Sequence, residues 1–400
     1  MQRPLLRASS FLLLGIVLTT FINYILHNNK EQSFSSCQDD SDWDLISIQP
    51  QDNITDSCKK SREKNNKLTE VCSPVWKNDI QIINNKKHQK NNPQTCQDCR
   101  VKIEEMLTIY SKPWVKNKEK HEEMRTWLSR KCRGLENAII TQKNTPLGSI
   151  IVYDAEKRHN VKVNSQIFDT FVKKHPVFNK MLHSCAVVGN GGILANSRCG
   201  NEIDSAEFVI RCNLAPLLNG YEEHVGVKTD IVTANPSILS KRYGSLLGSR
   251  RKFMEKLCQY GSAMILFPAF SYVKHTALCM RAFHTIQDFG SPMQPIYFNP
   301  EYLKDLDTFW RSQGWQAVRL SSGMILTSMA LELCDTVDLY GFWPFNLHPQ
   351  TFKELTNHYF DDIRGKSGFH AMPEEFKLLL QLHSEGILRL HVGDCDSKGE

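Results

Sequence analysis

Two patterns of apolar residues divide the chain. From residue 136 onward, short runs of consecutive apolar residues recur between stretches with helical spacing. The runs Ser149–Tyr153, Ser184–Gly189, Phe208–Cys212, Asp230–Thr233, Ala263–Phe267 and Thr336–Gly341 read as strands, and Met324–Cys334 reads as an apolar helix. Strands alternating with helices predict an α/β domain with a mainly parallel sheet over 136–400. Residues 27–135 lack this pattern. Their first two thirds are rich in Asn, Lys, Gln, Ser and Asp, as in Asn84-Asn-Lys-Lys-His-Gln-Lys-Asn-Asn92. Such a stretch buries too little apolar area to offset its ordering entropy, so 27–135 is expected to be a flexible stem leading into the domain.

A third pattern lies at the N-terminus. Ala8 to Leu26 carries no charge. At helical rise this span reaches about 28 Å, roughly one hydrocarbon core. Arg3 and Arg7 precede it, which predicts a cytosolic tail over 1–7, a signal anchor over 8–26 and the remainder in the lumen. A cleaved signal peptide is disfavoured because the bulky exit Asn23-Tyr-Ile-Leu-His27 offers no small-x-small cleavage site.

Composition adds limits. Apolar residues make up 41% and charged residues 23% of the 400, which excludes a wholly disordered protein. The net charge of +6 is too small to argue for nucleic acid, and none is expected as a partner. Thirteen cysteines suggest an oxidising compartment, and the odd count leaves at least one unpaired within the chain. Cys96-Gln-Asp-Cys99 lacks the further ligands of a zinc site. Asn53-Ile-Thr55 is a glycosylation sequon, so Asn53 is expected to carry a glycan.

Three places in the domain carry candidate chemistry. Cys185-Ala-Val-Val-Gly-Asn-Gly-Gly192 is a strand followed by a glycine turn, which can bring backbone N–H groups to a phosphate or be a plain tight turn. Asn190 and Asn213 then fall at neighbouring strand ends, offering donors and acceptors without charge. Ser321-Ser322-Gly323 opens the apolar helix as a cap and a potential anion site. Beyond the following strand comes the aromatic run Tyr340-Gly-Phe-Trp-Pro-Phe345. The third place holds His358 in His358-Tyr-Phe-Asp-Asp362 and His370 before Met372-Pro-Glu-Glu375. Pro373 and the two glutamates predict a helix start, and its dipole would favour a neutral imidazole at His370. Any single histidine among fourteen is more often structural. Asp288-Phe-Gly290 is an isolated kinase-like triplet, there is no His-Glu-x-x-His, and no acidic triplet follows a convincing strand, so no metal site is expected.

Taken in order, these blocks resemble the sialyl motifs of the animal sialyltransferases. Cys185–Pro216 resembles the large motif, Leu320–Phe345 the small motif, His358–Asp362 motif III, and His370–Glu375 the very small motif. The wording Tyr340–Phe345 and the near-terminal Cys395 are most similar to the α2,8 branch, and within it to the type VI members.

The resemblance implies a variant Rossmann-like, GT-A-like single lumenal domain with CMP-sialic acid as donor, and neither metal nor other cofactor. It implies donor contacts from Asn190, Asn213, Ser321, Ser322, Gly323, Trp343 and His358, and His370 as general base. It implies the disulfides Cys185–Cys334 and Cys199–Cys395. Cys212 sits inside an apolar strand and is expected to be a free thiol. The expected reaction is inverting transfer to O8 of a terminal sialic acid on glycoprotein O-glycans, with gangliosides next. The expected setting is a single-pass type II Golgi membrane protein that can form a homodimer. Lys304, Arg311 and Arg319 are balanced by Glu301, Asp305 and Asp307, which argues against a polymerising enzyme. Lys173, Lys174, His175 and Lys180 form a modest basic cluster. Competing readings are an α2,3 or α2,6 transferase, a catalytically inactive lumenal glycan-binding protein, and a nucleotide-dependent oxidoreductase. Leu194 and Asn213 stand where the last of these would need a small residue and an acid.

Overall fold

Seven parallel strands form the centre of the protein, ordered across the sheet as Gln294–Tyr297, Met264–Phe267, Ile231–Thr233, Phe208–Arg211, Leu182–Val188, Cys334–Tyr340 and Arg389–His391. The computed structural model describes residues 97–177, 181–316, 318–363 and 372–395. The strands are β3 (Leu182–Val188), β4 (Phe208–Arg211), β5 (Ile231–Thr233), β6 (Met264–Phe267), β7 (Gln294–Tyr297), β8 (Cys334–Tyr340) and β9 (Arg389–His391). A separate antiparallel ribbon pairs β1 (Ile150–Val152) with β2 (Asn160–Lys162). The α/β class and the mainly parallel sheet therefore hold. The strands are near-continuous apolar runs because both faces are covered.

Alternate residues of each strand enter opposite cores. On one face, Cys185, Val187, Ile210, Val337 and Leu339 pack with the helices Pro300–Ser312, Ser322–Leu333 and Met372–Ser384. On the other, Ala186, Val188, Val209, Val232 and Tyr340 pack with Pro236–Tyr243, Arg250–Cys258 and Val273–Asp288.

The packed body begins earlier than residue 136. Helices Gln97–Tyr110 and Lys118–Cys132, placed in the stem by composition, are part of the first core. Their apolar residues are few but fall on one face: Ile103, Leu128 and Cys132 have no exposed surface. Polar side chains complete the attachment. Arg125 Nη2 donates to Cys334 O at 2.8 Å, and the buried His121 ring lies 2.7 Å from Ile387 O. The tail, the anchor 8–26, most of the stem and Asn53 lie outside the described residues.

Both implied disulfides are present, Cys185–Cys334 and Cys199–Cys395. Cys212 is a buried free thiol, and burial pushes it up to about 12. The basic cluster before the large motif is weaker than its composition suggests. Burial pushes His175 down to about 3, so it carries no positive charge near neutral pH, and Lys180 lies outside the described residues.

Candidate active site

Strand order determines where a ligand crevice opens. From β3 the chain steps outward through β4, β5, β6 and β7, then returns to the opposite side of β3 as β8 and β9. In open parallel sheets the crevice lies beyond the carboxyl ends at such a reversal. Here that point is between β3 and β8. The segments beyond it are Gly189–Gly192 after β3, Gly341–Trp343 after β8 and Cys212–Leu214 after β4.

The glycines of the β3 turn serve a different purpose from the phosphate cradle that the turn alone allowed. Gly189 N–H donates to Tyr340 O at 2.7 Å and Gly191 N–H to Gly341 O at 3.0 Å. A Cβ at either glycine would stand 2.7 Å from Gly341 O, and one at Gly192 would stand 2.0 Å from Thr356 O. The glycines thus let three backbone segments lie directly on one another. Those two N–H groups are already engaged and cannot hold a phosphate.

This close packing places the side chains. Asn190 accepts Tyr359 N–H through its carbonyl at 3.0 Å, and its Nδ2 donates to Cys212 O at 3.1 Å. Asn213 therefore begins one residue beyond Asn190's partner. Its own N–H donates to Thr233 Oγ1 at 3.0 Å. Asn213 and Leu214 have φ of 56° and 46°. Asparagine tolerates the left-handed region better than most residues, which gives a conformational reason for its identity as well as a chemical one.

His358 reaches the same crevice through backbone pairing of its segment with Gly191. Its Nδ1 lies 2.7 Å from Asp361 Oδ1, and its ring stacks on Phe360 at 5.2 Å. Burial draws the Asp361 carboxyl upward. The hydrogen bonds from His358 and Ile363 N–H, with the charges of His358 and Arg242, outweigh it and hold Asp361 below the usual range.

Ser321 caps helix Ser322–Leu333, its Oγ accepting Met324 N–H at 3.1 Å. Ser322 opens the helix, and the absence of a Cβ at Gly323 admits the Phe342 ring, which would stand 2.7 Å from one. Trp343 differs from the expectation of an open donor contact. Its ring is 7% exposed, its Nε1 donates to Leu347 O at 2.8 Å, and it packs edge-on against Phe345 and Phe376. A large apolar ring next to a core cluster is more favourable inside than at a wet rim. His370 lies outside the described residues. The structure thus sets Asn190, Asn213 and His358 at neighbouring strand ends, places Gly323 against the Phe342 ring beyond β8, and packs Trp343 into the core.

A family model described as glycosyltransferase family 29 (sialyltransferase) matches residues 139–387. The chain belongs to this family of sialyltransferases. Alpha-2,8-sialyltransferase 8E of Homo sapiens is 45% identical over 282 residues, covering 70% of this chain and 75% of that one. Alpha-2,8-sialyltransferase 8F of Homo sapiens is 38% identical over 336 residues, covering 84% and 82%. An alpha-N-acetylneuraminide alpha-2,8-sialyltransferase of Xenopus tropicalis is 42% identical over 282 residues, covering 70% and 81%. A crystal structure of a mammalian sialyltransferase matches 75% of this chain and 87% of its own at 20% identity, with a TM-score of 0.38. As a sialyltransferase the protein takes its donor as CMP-sialic acid and its acceptors among glycans.

Sequence reasoning about this sialyltransferase missed Glu375, Asp361, Arg242 and Thr233. The His-x-x-Asp spacing was a visible signal for Asp361; a partner from another element, such as Arg242, leaves none. Glu375 closes both the helix-start signal and the very small motif, neither of which assigns its side chain a role. It is 3% exposed, and its Oε1 accepts Ser321 N–H at 2.8 Å, which fastens the small motif to the helix after His370. Burial and the nearby Glu374 push Glu375 up to about 7, against the opposing hydrogen bonds from Ser321. A carboxyl raised in the folded state binds more protons folded than unfolded, so its contribution to stability falls as pH rises. The Glu375→Gln protein is therefore expected to gain melting temperature relative to wild type as pH rises from 4.5 to about 7. A difference that stays constant across that window would contradict this.

Proposed function

We propose that the protein is an inverting α2,8-sialyltransferase that joins sialic acid from CMP-sialic acid to O8 of a terminal sialic acid. The observation that carries this reading is the meeting of Asn190, Asn213 and His358 at the reversal of the sheet, with Gly323 against the Phe342 ring beyond β8. The α2,8 linkage in the names of the relatives supports the choice of acceptor atom. The two asparagine amides can bind the nucleotide without adding charge to an anionic donor. The positive end of helix Ser322–Leu333 and His358 stabilise the phosphate of departing CMP. CMP leaves as an anion and needs little acid help, so the proposed chemistry uses no metal. His370 removes the O8 proton as the new bond forms opposite the breaking one.

Glycoprotein O-glycans are the preferred acceptor, with gangliosides next. Two of the three cations before the small motif are ion-paired, Arg311 with Asp307 at 2.8 Å and Arg319 with Asp154 at 2.9 Å, which disfavours tracking a long polyanion. The same reading gives a cytosolic tail over 1–7, an anchor over 8–26, a stem up to the packed body, a Golgi membrane location and a homodimer. Among the described residues no helix is long and apolar enough to cross a membrane.

The full chain, incubated with CMP-sialic acid and chelator, is expected to sialylate a sialylated O-glycoprotein strongly, a ganglioside less, and a desialylated control not at all. Transfer to the desialylated control would move the enzyme to another linkage. Folded, CMP-binding protein that transfers to none of them would favour the glycan-binding alternative.

A further inference from the structure

Asp361 is shared between two nitrogen-bearing side chains from different parts of the fold. One oxygen, Oδ1, lies 2.7 Å from His358 Nδ1. The other, Oδ2, lies 3.3 Å from Arg242 Nη2. Arg242 comes from helix Pro236–Tyr243, the connection after β5, and belongs to none of the four motifs. The Phe360 ring contacts both partners, stacking on His358 and lying 5.8 Å from the Arg242 guanidinium. His358 and Asp361 are 27% and 18% exposed at their side chains, so water screens their pairing only in part. Asn357 Nδ2 sits 3.4 and 3.3 Å from the two ring nitrogens but donates to Ile363 O at 2.7 Å.

With Nδ1–H directed to a carboxylate, Nε2 is the nitrogen left to face the crevice. The carboxylate on Nδ1 fixes the plane of the ring, and the guanidinium on its far oxygen fixes the carboxylate in turn. We propose that Asp361, seated by Arg242, is a positioning residue that holds the His358 ring by Nδ1, so that its Nε2 edge is directed to the leaving phosphate. This rests on the reading of His358 as a donor contact. Other polar groups around the ring do not replace Asp361. Asp362 accepts Asn357 N–H at 2.8 Å, the Tyr359 hydroxyl donates to Pro216 O at 2.5 Å, and Gly189–Gly192 carries no titratable side chain.

The test compares Asp361→Asn, Arg242→Met and Arg242→Lys in the full chain, with His358→Ala as reference. Asp361→Asn is expected to lower kcat about tenfold, the scale for loss of one charge-assisted contact behind a reacting group. KM for the acceptor should stay within about twofold, since only the leaving phosphate is affected. Arg242→Met should lower kcat by less, and Arg242→Lys should restore it. If Asp361→Asn does not fold, Arg242→Met carries the test with Asp361 in place. An unchanged kcat in Asp361→Asn, or a loss of rate that Arg242→Lys does not rescue, would overturn the proposal. If His358→Ala itself keeps wild-type kcat, the donor reading of His358 has failed. If His358→Ala is crippled while Asp361→Asn is not, only the positioning role has failed.

Discussion

Replacing His370 with alanine is expected to lower transfer by roughly 100- to 10,000-fold, the range for loss of a positioned general base. An alcohol such as O8 does not give up its proton near neutral pH without a base at the moment of bond formation. In the sequence His370 stands two residues before helix Met372–Ser384. In the proposed mechanism the base acts on the acceptor, so donor binding should survive. CMP should inhibit the variant at close to the wild-type concentration, and the melting temperature should not move. Activity lost together with CMP affinity would mean instead that His370 shapes the donor site.

The second large effect concerns stability. Converting both Cys185 and Cys334 to alanine is expected to cost about 5 kcal/mol in the chain-entropy model, because the bond closes a loop with a sequence separation of 149. Total stabilities of domains are only about 5–15 kcal/mol, so this one bond is a large share. Both sulfurs are wholly buried, and the bond joins β3 to the start of β8. Those strands flank the crevice, so activity should fall together with the melting temperature. Cys199–Cys395 closes a longer loop, with a separation of 196, and the model gives it a similar cost. It fastens the C-terminal segment, where Cys395 N–H donates to Ser197 O at 2.9 Å. Its removal should lower the melting temperature while leaving activity in the cold nearly intact. Thermal melts and low-temperature assays of the two paired variants read this directly. A loss below about 1 kcal/mol for the first pair would show that the reduced chain already holds β3 against β8.

The central strands were legible in the sequence because burial on both faces demands unbroken apolar runs, as in β3 and β4. Strand β7 was not, since Gln294-Pro-Ile-Tyr297 is short and contains proline. Nor was β9, where Leu390 stands alone between Arg389 and His391. The first two helices were hidden by composition: a few apolar residues on one face suffice when Arg125 and His121 bond to backbone carbonyls. In the site, the legible features were distinctive residue types at fixed spacing. The aromatic run Tyr340–Phe345 fits a base or a core equally well, and Trp343 was given a donor contact by the family resemblance; only packing places its ring inside. The glycines of the β3 turn were located correctly, but their purpose depended on Gly341 and Thr356, which no local pattern connects to them.

That last contact bears on how the enzyme is made. A ribosome delivers the β3 turn early, and β4 follows soon enough to pair with it. The segments that press on Gly189–Gly192, Gly341–Trp343 and Thr356–Tyr359, emerge many seconds later at an elongation rate of about 5–20 residues per second. Until then the turn has no wall on the β8 side and His358 has no seat. A nascent or truncated chain can hold half a sheet, yet it has no place for a donor. Competence arrives in one step, near the end of synthesis, and a chain cut short before that step is inert however well its first half has folded.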